Sequence, residues 1–398
     1  MPTICTQGLP ALRRLELEYW PVARFAAIRG LVNPSLRSLI IRHPSTRFTL
    51  HEWSTILTEL PLLDKLALTC VFPEDELKQP RPKPLSLIQL PHLESLELSA
   101  DSWINLLSLL HIIVPSANIH LDFRPWESGP LATRLIPYEA YIDILDAINQ
   151  KFTPREPRNE AVSPNYLSLR ITNNTTGCFS MRVTLGDSDH GYCPRSHVKN
   201  NLHTPHLLRF QLNDIDPVEQ GTPYKPLCDM LCKTFSLEKI RVMRLGPANS
   251  TGLLQNTLLD LRNLFTQLTN IRVLSIRFAN KDYLGDYLST LLGVSNVENE
   301  AEKGAANAIR ESQILFPALE VLTVEHPIIS APVADVEPLR RTLLARKAAG
   351  YPISKVHICL STLRRLGKPL VWPDLEPKLL PLTSLGCTID HCYIDFRF

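Results

Sequence analysis

The amino-acid sequence predicts an α/β fold in which short strands and helices alternate and stack as a solenoid. Three observations in the 398-residue chain lead to this prediction. An apolar phrase of the form L-x-x-L-x-L recurs, prolines precede its clearest copies, and helical patterns fill the intervals. One strand–helix unit can bury its apolar faces only against its neighbours. We therefore expect a single array over residues 1–398, with a parallel sheet on the concave face and helices on the convex face.

Nine copies of the phrase define the units of the array. The clearest are LPALRRLEL at 9–17, LPLLDKLAL at 60–68, LPHLESLEL at 90–98 and FPALEVLTV at 316–324, and looser copies end at Ile41, Leu212, Met243, Ile276 and Ile358. The first apolar positions of the early units lie 24, 27 and 30 residues apart, at Leu12, Leu36, Leu63 and Leu93. These intervals are close to the roughly 20–29 residues of leucine-rich repeats. The sequence therefore predicts an irregular leucine-rich-repeat solenoid.

Each phrase predicts a strand with one buried face. Alternate side chains of a strand lie on opposite faces, so Leu15 and Leu17 should point inward and Glu16 outward. The same holds for Leu96, Glu97 and Leu98. Prolines with a fixed φ and no N–H should end the preceding helix and begin extended chain before the clear copies, at Pro10, Pro61, Pro91 and Pro317.

Helical patterns lie between the strands. The cleanest begins at Thr49 with Glu52 three residues on, which is a capping box, and continues with Trp53, Ile56, Leu57 and Leu60 on one face. Further helices are predicted from Ser102 to about Ile113 and from Thr251 to about Leu268. In the last one, we expect the apolar stripe to pack on the chain's own sheet rather than on a partner; it consists of Leu254, Leu258, Leu261, Phe265 and Leu268.

Two segments interrupt the repeats. A Pro-rich insertion spans about 124–165 around one helical pattern, from Tyr138 to about Phe152. A hairpin and loop insertion spans about 173–203, where strand patterns at 165–172 and 178–185 should pair. The alternative is a boundary between two halves of the solenoid. The mixed-charge run at 297–304 predicts a solvated loop or helix start.

The composition argues against several classes of protein. Lys and Arg number 42 against 40 Asp and Glu, for a net charge of +2 without long blocks of like charge, so neither nucleic acid nor a membrane is expected as a partner. Only 15 glycines disfavour a phosphate-cradling nucleotide fold, and we expect no cofactor. Nine scattered cysteines and no signal-peptide pattern predict reduced thiols in a cytoplasmic or nuclear protein.

One motif could carry ester hydrolysis. Residues 186–191 read GDSDHG after a strand pattern and resemble the nucleophile turn of one lipase superfamily. Ser188 would still need a histidine base and an oxyanion hole. The tail CTIDHCYIDFRF offers only the adjacent Asp390 and His391 where that superfamily has Asp-x-x-His. We therefore predict that the protein is not an enzyme, and keep a Ser188-dependent esterase as the remote alternative.

Metal-ligand residue types also gather near this motif, namely Asp187, Asp189, His190, Cys193, His197, His203 and His206. No paired C-x-x-C or H-x-x-x-H spacing organises them, so no metal site is predicted there or elsewhere. Cys228 and Cys232 share one face of a helical pattern without a nearby basic residue, and we expect them to be buried thiols.

The repeated phrases resemble the leucine-rich-repeat regions of the fungal F-box family, whose members join a short N-terminal F-box to irregular repeats carrying LPxLxxLxL. The resemblance covers nearly the whole chain. In that family the F-box docks on the adaptor subunit of a cullin-based ubiquitin ligase, and the repeats hold the protein to be ubiquitinated. The sequence opens directly on LPALRRLEL, which implies either an upstream segment or a binding protein that works without the adaptor.

We expect the bound molecule to be another protein that contacts the concave sheet. The contact residues should be those that point out of the strands or directly follow them, namely Glu16, Glu18, Arg42, Glu97, Gln211, Asn213, Arg277, Glu325 and His357. Fewer than about a third of such residues usually contribute strongly to affinity.

Overall fold

The computed structural model describes residues 11–20, 31–73, 86–100, 103–115, 119–125, 136–152, 164, 166–173, 179–186, 206–215, 224–248, 261, 264–278, 314–326, 337–362, 385–386 and 388–395. The chain divides into two compact units. Unit 1 comprises Met1–Val162, Cys178–Arg182 and His206–Pro217, and unit 2 comprises Ser163–Gly177, Val183–Pro205 and Val218–Phe398. The fold is mixed α/β with a large, mostly parallel sheet, so the predicted α/β class is confirmed.

The secondary-structure elements follow in chain order. The strands are β1 (Arg14–Glu18), β2 (Ser38–Arg42), β3 (Lys65–Thr69), β4 (Ile88–Leu90), β5 (Ser95–Ala100), β6 (Ile113–Pro115), β7 (His120–Pro125), β8 (Tyr166–Asn173), β9 (Phe179–Gly186), β10 (His206–Ile215), β11 (Val242–Ala248), β12 (Val273–Phe278), β13 (Val321–His326), β14 (Lys355–Thr362) and β15 (Thr388–Asp395). The α-helices bounded within the described residues are α1 (Leu50–Thr58), α2 (Trp103–Ile112), α3 (Tyr138–Phe152), α4 (Tyr224–Thr234) and α5 (Glu337–Ala348), with a 3₁₀ turn at Leu237–Lys239.

All nine copies of the repeated phrase contain or lead into strands. In unit 1 the strands pair in parallel in the order β1-β2-β3-β5-β7-β10. In unit 2 the parallel order is β8-β11-β12-β13-β14-β15. β4 and β6 form a separate parallel pair. β8 and β9 are hydrogen-bonded neighbours, as the predicted hairpin requires.

Rows of apolar side chains in register form the core of each unit. In unit 1 one row consists entirely of leucines, each less than a tenth exposed, namely Leu15, Leu39, Leu66, Leu96, Leu121 and Leu208. The corresponding row in unit 2 contains Leu167, Met243, Leu274, Leu322 and Val356, all fully buried. A phrase that repeats in sequence therefore becomes a continuous apolar row in the structure.

The prolines before the strands lie in tight turns. The carbonyl of Leu60 accepts a hydrogen bond from the N–H of Leu63 at 3.2 Å, which closes a four-residue turn with Pro61 in its second position. The same bond closes the turns at Leu90–Leu93, Phe316–Leu319 and Asn33–Leu36. The fixed φ of proline suits this position, so the predicted joint is a turn that leads directly into the next strand.

Backbone contacts between successive repeats also recur. The carbonyl of Arg13 accepts hydrogen bonds from the N–H groups of Arg37 and Ser38 at 2.8 and 3.0 Å. Equivalent pairs of hydrogen bonds form at the carbonyls of Arg37, Asp64, Arg241, Arg272 and Glu320. Directly after β1, β2 and β3 the backbone turns with a positive φ of about 50° at Tyr19, His43 and Cys70. Because these three residues are not glycines, the conformation carries a small steric cost that the bonds from their N–H groups to the next strand offset.

The predicted helices are present where the structure describes them. α1 has the full capping box, in which the Glu52 N–H donates to Thr49 Oγ1 at 3.2 Å and the Thr49 N–H donates to Glu52 Oε2 at 2.8 Å. α2 and α3 match the predicted helices and pack against each other. Of the later stripe, Leu261, Phe265 and Leu268 are buried, whereas Leu254 and Leu258 lie outside the described residues, as does the run at 297–304.

A buried arginine connects α5 to the preceding repeat. The Arg346 side chain is fully buried, and its two terminal nitrogens donate to the carbonyls of Leu315 and Phe316 at 2.9 Å each. Burial lowers the pKa of Arg346 to about 10. Lys347 donates to the carbonyl of Leu385 on the other side at 2.8 Å. α5 therefore contacts the turns both before and after it, through hydrogen bonds from its side chains to their backbone carbonyls.

Strict alternation between buried and exposed positions holds only in part. In β1 and in β5 the predicted inward leucines are buried, and Glu16 is exposed. In β2 and β3, however, Ile40 and Ala67 are also buried, at 2% and 0% exposure. Parallel strands that are buried on both faces read as continuous apolar runs. The sequences SLII and LALT have that character, which distinguishes them from RLELE.

Candidate protein-binding surface

The candidate surface is the sheet face opposite the buried rows, here called the outward face. In unit 1 the register places six side chains in one row on it: Glu16, Ile40, Ala67, Glu97, Asp122 and Arg209. The middle of this row is apolar and buried, and its two ends are charged. Polar groups therefore gather in two separate clusters.

The first cluster surrounds Glu16. Arg14 and Arg42 contact its two carboxylate oxygens at 2.7 and 3.2 Å. The hydrogen bond from Arg14 lowers the pKa of Glu16, and the charge of Arg42 contributes further. Glu18 is exposed beside it, and the exposed Tyr19 ring stacks on His43 with centroids 5.1 Å apart. Because these ion pairs are exposed, they add little to stability and leave the groups available to a partner.

The second cluster joins β5 to β7 through Arg124. Its Nη2 contacts Glu97 Oε1 at 2.9 Å, and its Nε lies 2.8 Å from Asp122 Oδ1. The second contact is an ion pair without hydrogen-bond alignment, since both atoms are buried and lack a hydrogen-bond partner. Burial raises the pKa of Asp122, although the charges of Arg124 and Arg209 act in the opposite direction. A carboxylate in this state is incompletely compensated, and a donor from a partner would stabilise it.

A third polar contact lies on β9 and β10. Arg182 Nε donates to Gln211 Oε1 at 2.7 Å, and both side chains are half-buried. Asn213 follows two positions further along β10, and its side chain lies outside the described part of the structure. Gln211 is therefore part of a bonded pair rather than a free polar side chain.

In unit 2 the predicted residues lie on β12, β13 and β14. Arg277 and Glu325 are register partners, and His357 is paired in register with Thr323, which in turn is paired with Ser275. Ser275 and Thr323 are fully buried, and Thr323 Oγ1 has no hydrogen-bond partner. Small hydroxyl side chains therefore occupy the middle of this outward row, next to His357.

All nine predicted binding residues thus lie on strands, and the structure brings Arg42 into contact with Glu16. Four participants were not predicted from the sequence: Asp122, Arg124, Arg182 and Arg209. Asp122 and Arg124 belong to β7, which was not recognised as a repeat. The alternation in IHLDFR at 119–124 is the signal that could have identified this strand.

The residues considered for ester hydrolysis, metal binding and thiol chemistry are described only in part. Ser188 and the ligand types from Asp187 to His203 lie outside the described residues, and among the side chains that are described no three His, Cys, Asp or Glu could hold a metal ion. Cys228 is buried on α4 as predicted, and Cys232 is half-buried. Burial raises the pKa of Cys232 to about 11, with Asp229 contributing, so this thiol is protonated at neutral pH.

Across the described helices, none is both long and apolar enough to cross a membrane. Comparison with models of known protein families finds no match for the chain, and comparison with curated proteins finds no match either.

Proposed function

We propose that the chain is an irregular leucine-rich-repeat solenoid and that it acts as a protein–protein interaction scaffold. Features that recur along the chain support the architecture: parallel strands in register, leucine rows, proline turns and the paired backbone hydrogen bonds that link one repeat to the next. Repeat arrays of this kind typically present an extended strand surface to a partner. The partner is a protein, since a net charge of +2 gives little electrostatic attraction to the phosphates of nucleic acid.

The observation that carries this proposal is the cluster formed by Glu97, Asp122 and Arg124. Their side chains are between 24% and 32% exposed, so they are accessible but already largely desolvated. Binding a partner would therefore cost less desolvation than at a fully hydrated charge. Arginine is also enriched among residues that dominate binding energy. We expect Arg124 to be one of the energetically dominant residues of this surface.

We further propose that the scaffold is the substrate-recognition part of an F-box-type ubiquitin ligase receptor in the cytoplasm or nucleus. This step rests on the resemblance of the LPxLxxLxL phrases to the repeats of the fungal F-box family. The repeats would hold the protein to be ubiquitinated, and the adaptor subunit would bind elsewhere. The alternative proposal is a repeat protein that binds its partner without the adaptor.

Affinity purification of the endogenous protein, tagged after Phe398, tests both proposals. Wild type would be compared with Arg124→Glu on the outward face and with Arg341→Glu on α5 as a matched control. Arg341 is 72% exposed and forms a surface ion pair with Glu337. We expect at least one protein to be retained by the wild type and the control and lost from Arg124→Glu.

The accompanying subunits distinguish the two proposals. Adaptor and cullin recovered with all three baits would support the ligase receptor, and the protein lost from Arg124→Glu would be its substrate candidate. Their reproducible absence, with a partner still lost from Arg124→Glu, would favour the adaptor-independent scaffold. An unchanged set of proteins on Arg124→Glu would refute binding through this face.

The esterase alternative has a direct test of its own. Ser188→Ala should leave any ester hydrolysis by the purified chain unchanged. A loss of hydrolysis in the variant, with far-UV circular dichroism unaltered, would overturn the prediction that the protein is not an enzyme.

A further inference from the structure

The residues that directly follow β1, β2 and β3 share a strained backbone but differ in burial. Tyr19, His43 and Cys70 have φ values of 50°, 48° and 53°, which a bulky L residue adopts at a steric cost and glycine adopts freely. Cys70 is 5% exposed, so burial of its side chain offsets this cost. Tyr19 is 71% exposed and gains far less from burial. Stability of the core therefore does not explain a tyrosine here, and strained residues of this kind cluster at functional sites.

Backbone hydrogen bonds and a ring stack hold Tyr19 in place. The Tyr19 N–H donates to the Arg42 carbonyl at 3.0 Å, and the His43 N–H donates to the Thr69 carbonyl at 2.9 Å. The Tyr19 and His43 rings stack with their centroids 5.1 Å apart and their planes 9° from parallel. His43 therefore covers one face of the Tyr19 ring, and the other face is open to a partner. A ring that is already positioned loses less conformational entropy on binding.

Glu18 places a carboxylate beside this ring. Arg14 and Arg42 both contact Glu16, and among the described side chains none forms an ion pair with Glu18, which is exposed. Glu16 and Glu18 together balance the charges of the two arginines, so the cluster does not repel a further cation. The Cα atoms of neighbouring residues are about 3.8 Å apart. One side chain of a partner can therefore reach both Glu18 and Tyr19.

We propose that Glu18 and Tyr19 receive an arginine side chain of the protein that binds the outward face. The guanidinium stacks on the open face of the Tyr19 ring, and its N–H groups donate to the Glu18 carboxylate. Arginine suits both groups, because its planar cation stacks on aromatic rings and its fork of donors matches a carboxylate. Lysine has the same charge on a compact ammonium without this planar geometry. The assignment rests on the proposed binding role of the outward face and specifies the chemistry of the partner.

Nuclear magnetic resonance of the full chain, isotope-labelled at its tyrosine rings, tests this contact. The probe is Nα-acetyl-arginine amide, and Tyr19→Phe identifies the Tyr19 signals by their absence. We expect the probe to shift the Tyr19 signals and to leave those of Tyr351, a 40% exposed tyrosine after α5, unchanged. Nα-acetyl-lysine amide should bind more weakly, because its ammonium makes a smaller contact with the ring.

Removal of the carboxylate gives the expected magnitude. Glu18→Gln should weaken arginine binding about 2-fold to 5-fold, which is the size of an exposed ion pair. Glu139→Gln is the matched control, since Glu139 is exposed in the first turn of α3, and it should leave the affinity unchanged. Unshifted Tyr19 signals in the wild type, equal binding of the lysine probe, or unchanged affinity in Glu18→Gln would each overturn the proposal.

Unfolding in urea separates a binding role of Tyr19 from a structural one. Tyr19→Ala removes the ring and keeps the strained backbone, whereas Tyr19→Gly also relieves the strain. We expect the urea midpoint of Tyr19→Gly to equal or exceed that of the wild type, and that of Tyr19→Ala to be lower. A midpoint of Tyr19→Gly clearly below the wild type would show that the ring serves the fold, against the proposal.

The affinity purification described above distinguishes failure of this contact from failure of the proposed function. A partner lost from both Arg124→Glu and Tyr19→Gly, together with Tyr19 signals shifted by arginine, would support the contact. Loss from Arg124→Glu alone would overturn the arginine contact and leave the proposed binding face intact. Retention of every partner by both variants would refute the binding face and the contact together.

Discussion

Replacing Leu96 by alanine tests whether the leucine row is the core of unit 1. Leu96 is fully buried, with Leu66 and Leu121 in register on either side. Removing a buried leucine side chain beyond its Cβ costs about 2–5 kcal/mol in protein cores. Because no part of Leu96 is exposed, we expect a loss of about 3 kcal/mol in the free energy of unfolding. That loss lowers the equilibrium constant for folding roughly 100-fold.

Urea unfolding followed by circular dichroism measures this loss. Leu87→Ala is the matched control, since Leu87 is 62% exposed just before β4, and we expect its effect to stay within about 0.5 kcal/mol. For a unit of 150–250 residues each kcal/mol lowers the melting temperature by about 2–4 °C, so Leu96→Ala should lower it by roughly 6–12 °C. Leu96→Asp should unfold the array, because it buries an unpaired charge.

Equal losses in Leu96→Ala and Leu87→Ala would refute the reasoning. So would a loss below about 1 kcal/mol in Leu96→Ala, since that is the value expected of a surface or loosely packed site. An intact far-UV spectrum and an unchanged melting temperature in Leu96→Asp would show that the repeated phrase does not form the core.

Three further predictions concern single side chains. Thr49→Ala should lower the free energy of unfolding in urea by about 1 kcal/mol, because it removes the cap of α1. Thr55→Ala, a control on the exposed side of that helix, should lower it less. Equal losses would contradict the capping role. With a pKa of about 11, Cys232 should react with iodoacetamide at pH 8 roughly 100-fold more slowly than an ordinary cysteine, and peptide mapping that finds equal rates would contradict this. The pKa of Asp122 is raised from 3.8 in the folded chain, so folding favours the neutral carboxyl group. The neutral carboxyl group therefore stabilises the fold fully below pH 3.8, and this stabilisation is lost as pH rises through the folded pKa. Asp122→Asn should therefore stabilise the chain at pH 7 but not at pH 3; destabilisation at pH 7 would show that the ion pair with Arg124 outweighs burial.

Local sequence identified most of the strands because each repeat carries its own complete signal. The proline, the inward leucines and the alternation of RLELE all lie within ten residues, at 9–18. α1 was equally accessible, since the Thr49 and Glu52 capping box is local. β7 and β15 were missed because neither carries the full L-x-x-L-x-L phrase. They are strands because neighbouring strands offer them hydrogen bonds in register.

The candidate sites needed information that no single repeat contains. Glu16, Arg42 and Glu97 were predicted from their outward positions, but the sequence could not show that Glu97 contacts Arg124, which lies on the next strand. Nor could it align Ser275, Thr323 and His357 across three strands, because intervals between repeats vary and the pairing depends on register.

By itself, the sequence determined the α/β class, the nine repeat phrases, the capped first helix and the inward leucines, because these follow from periodicity and turn chemistry over a few residues. Only the tertiary structure decided which outward positions are buried, as at Ile40 and Ala67, and which charged side chains meet, as at Asp122 and Arg124. The physical reason is that the parallel pairs from β1 to β7 bring together residues 24 to 30 positions apart in the sequence. Contacts across that distance depend on register, and register is established only when the strands have paired.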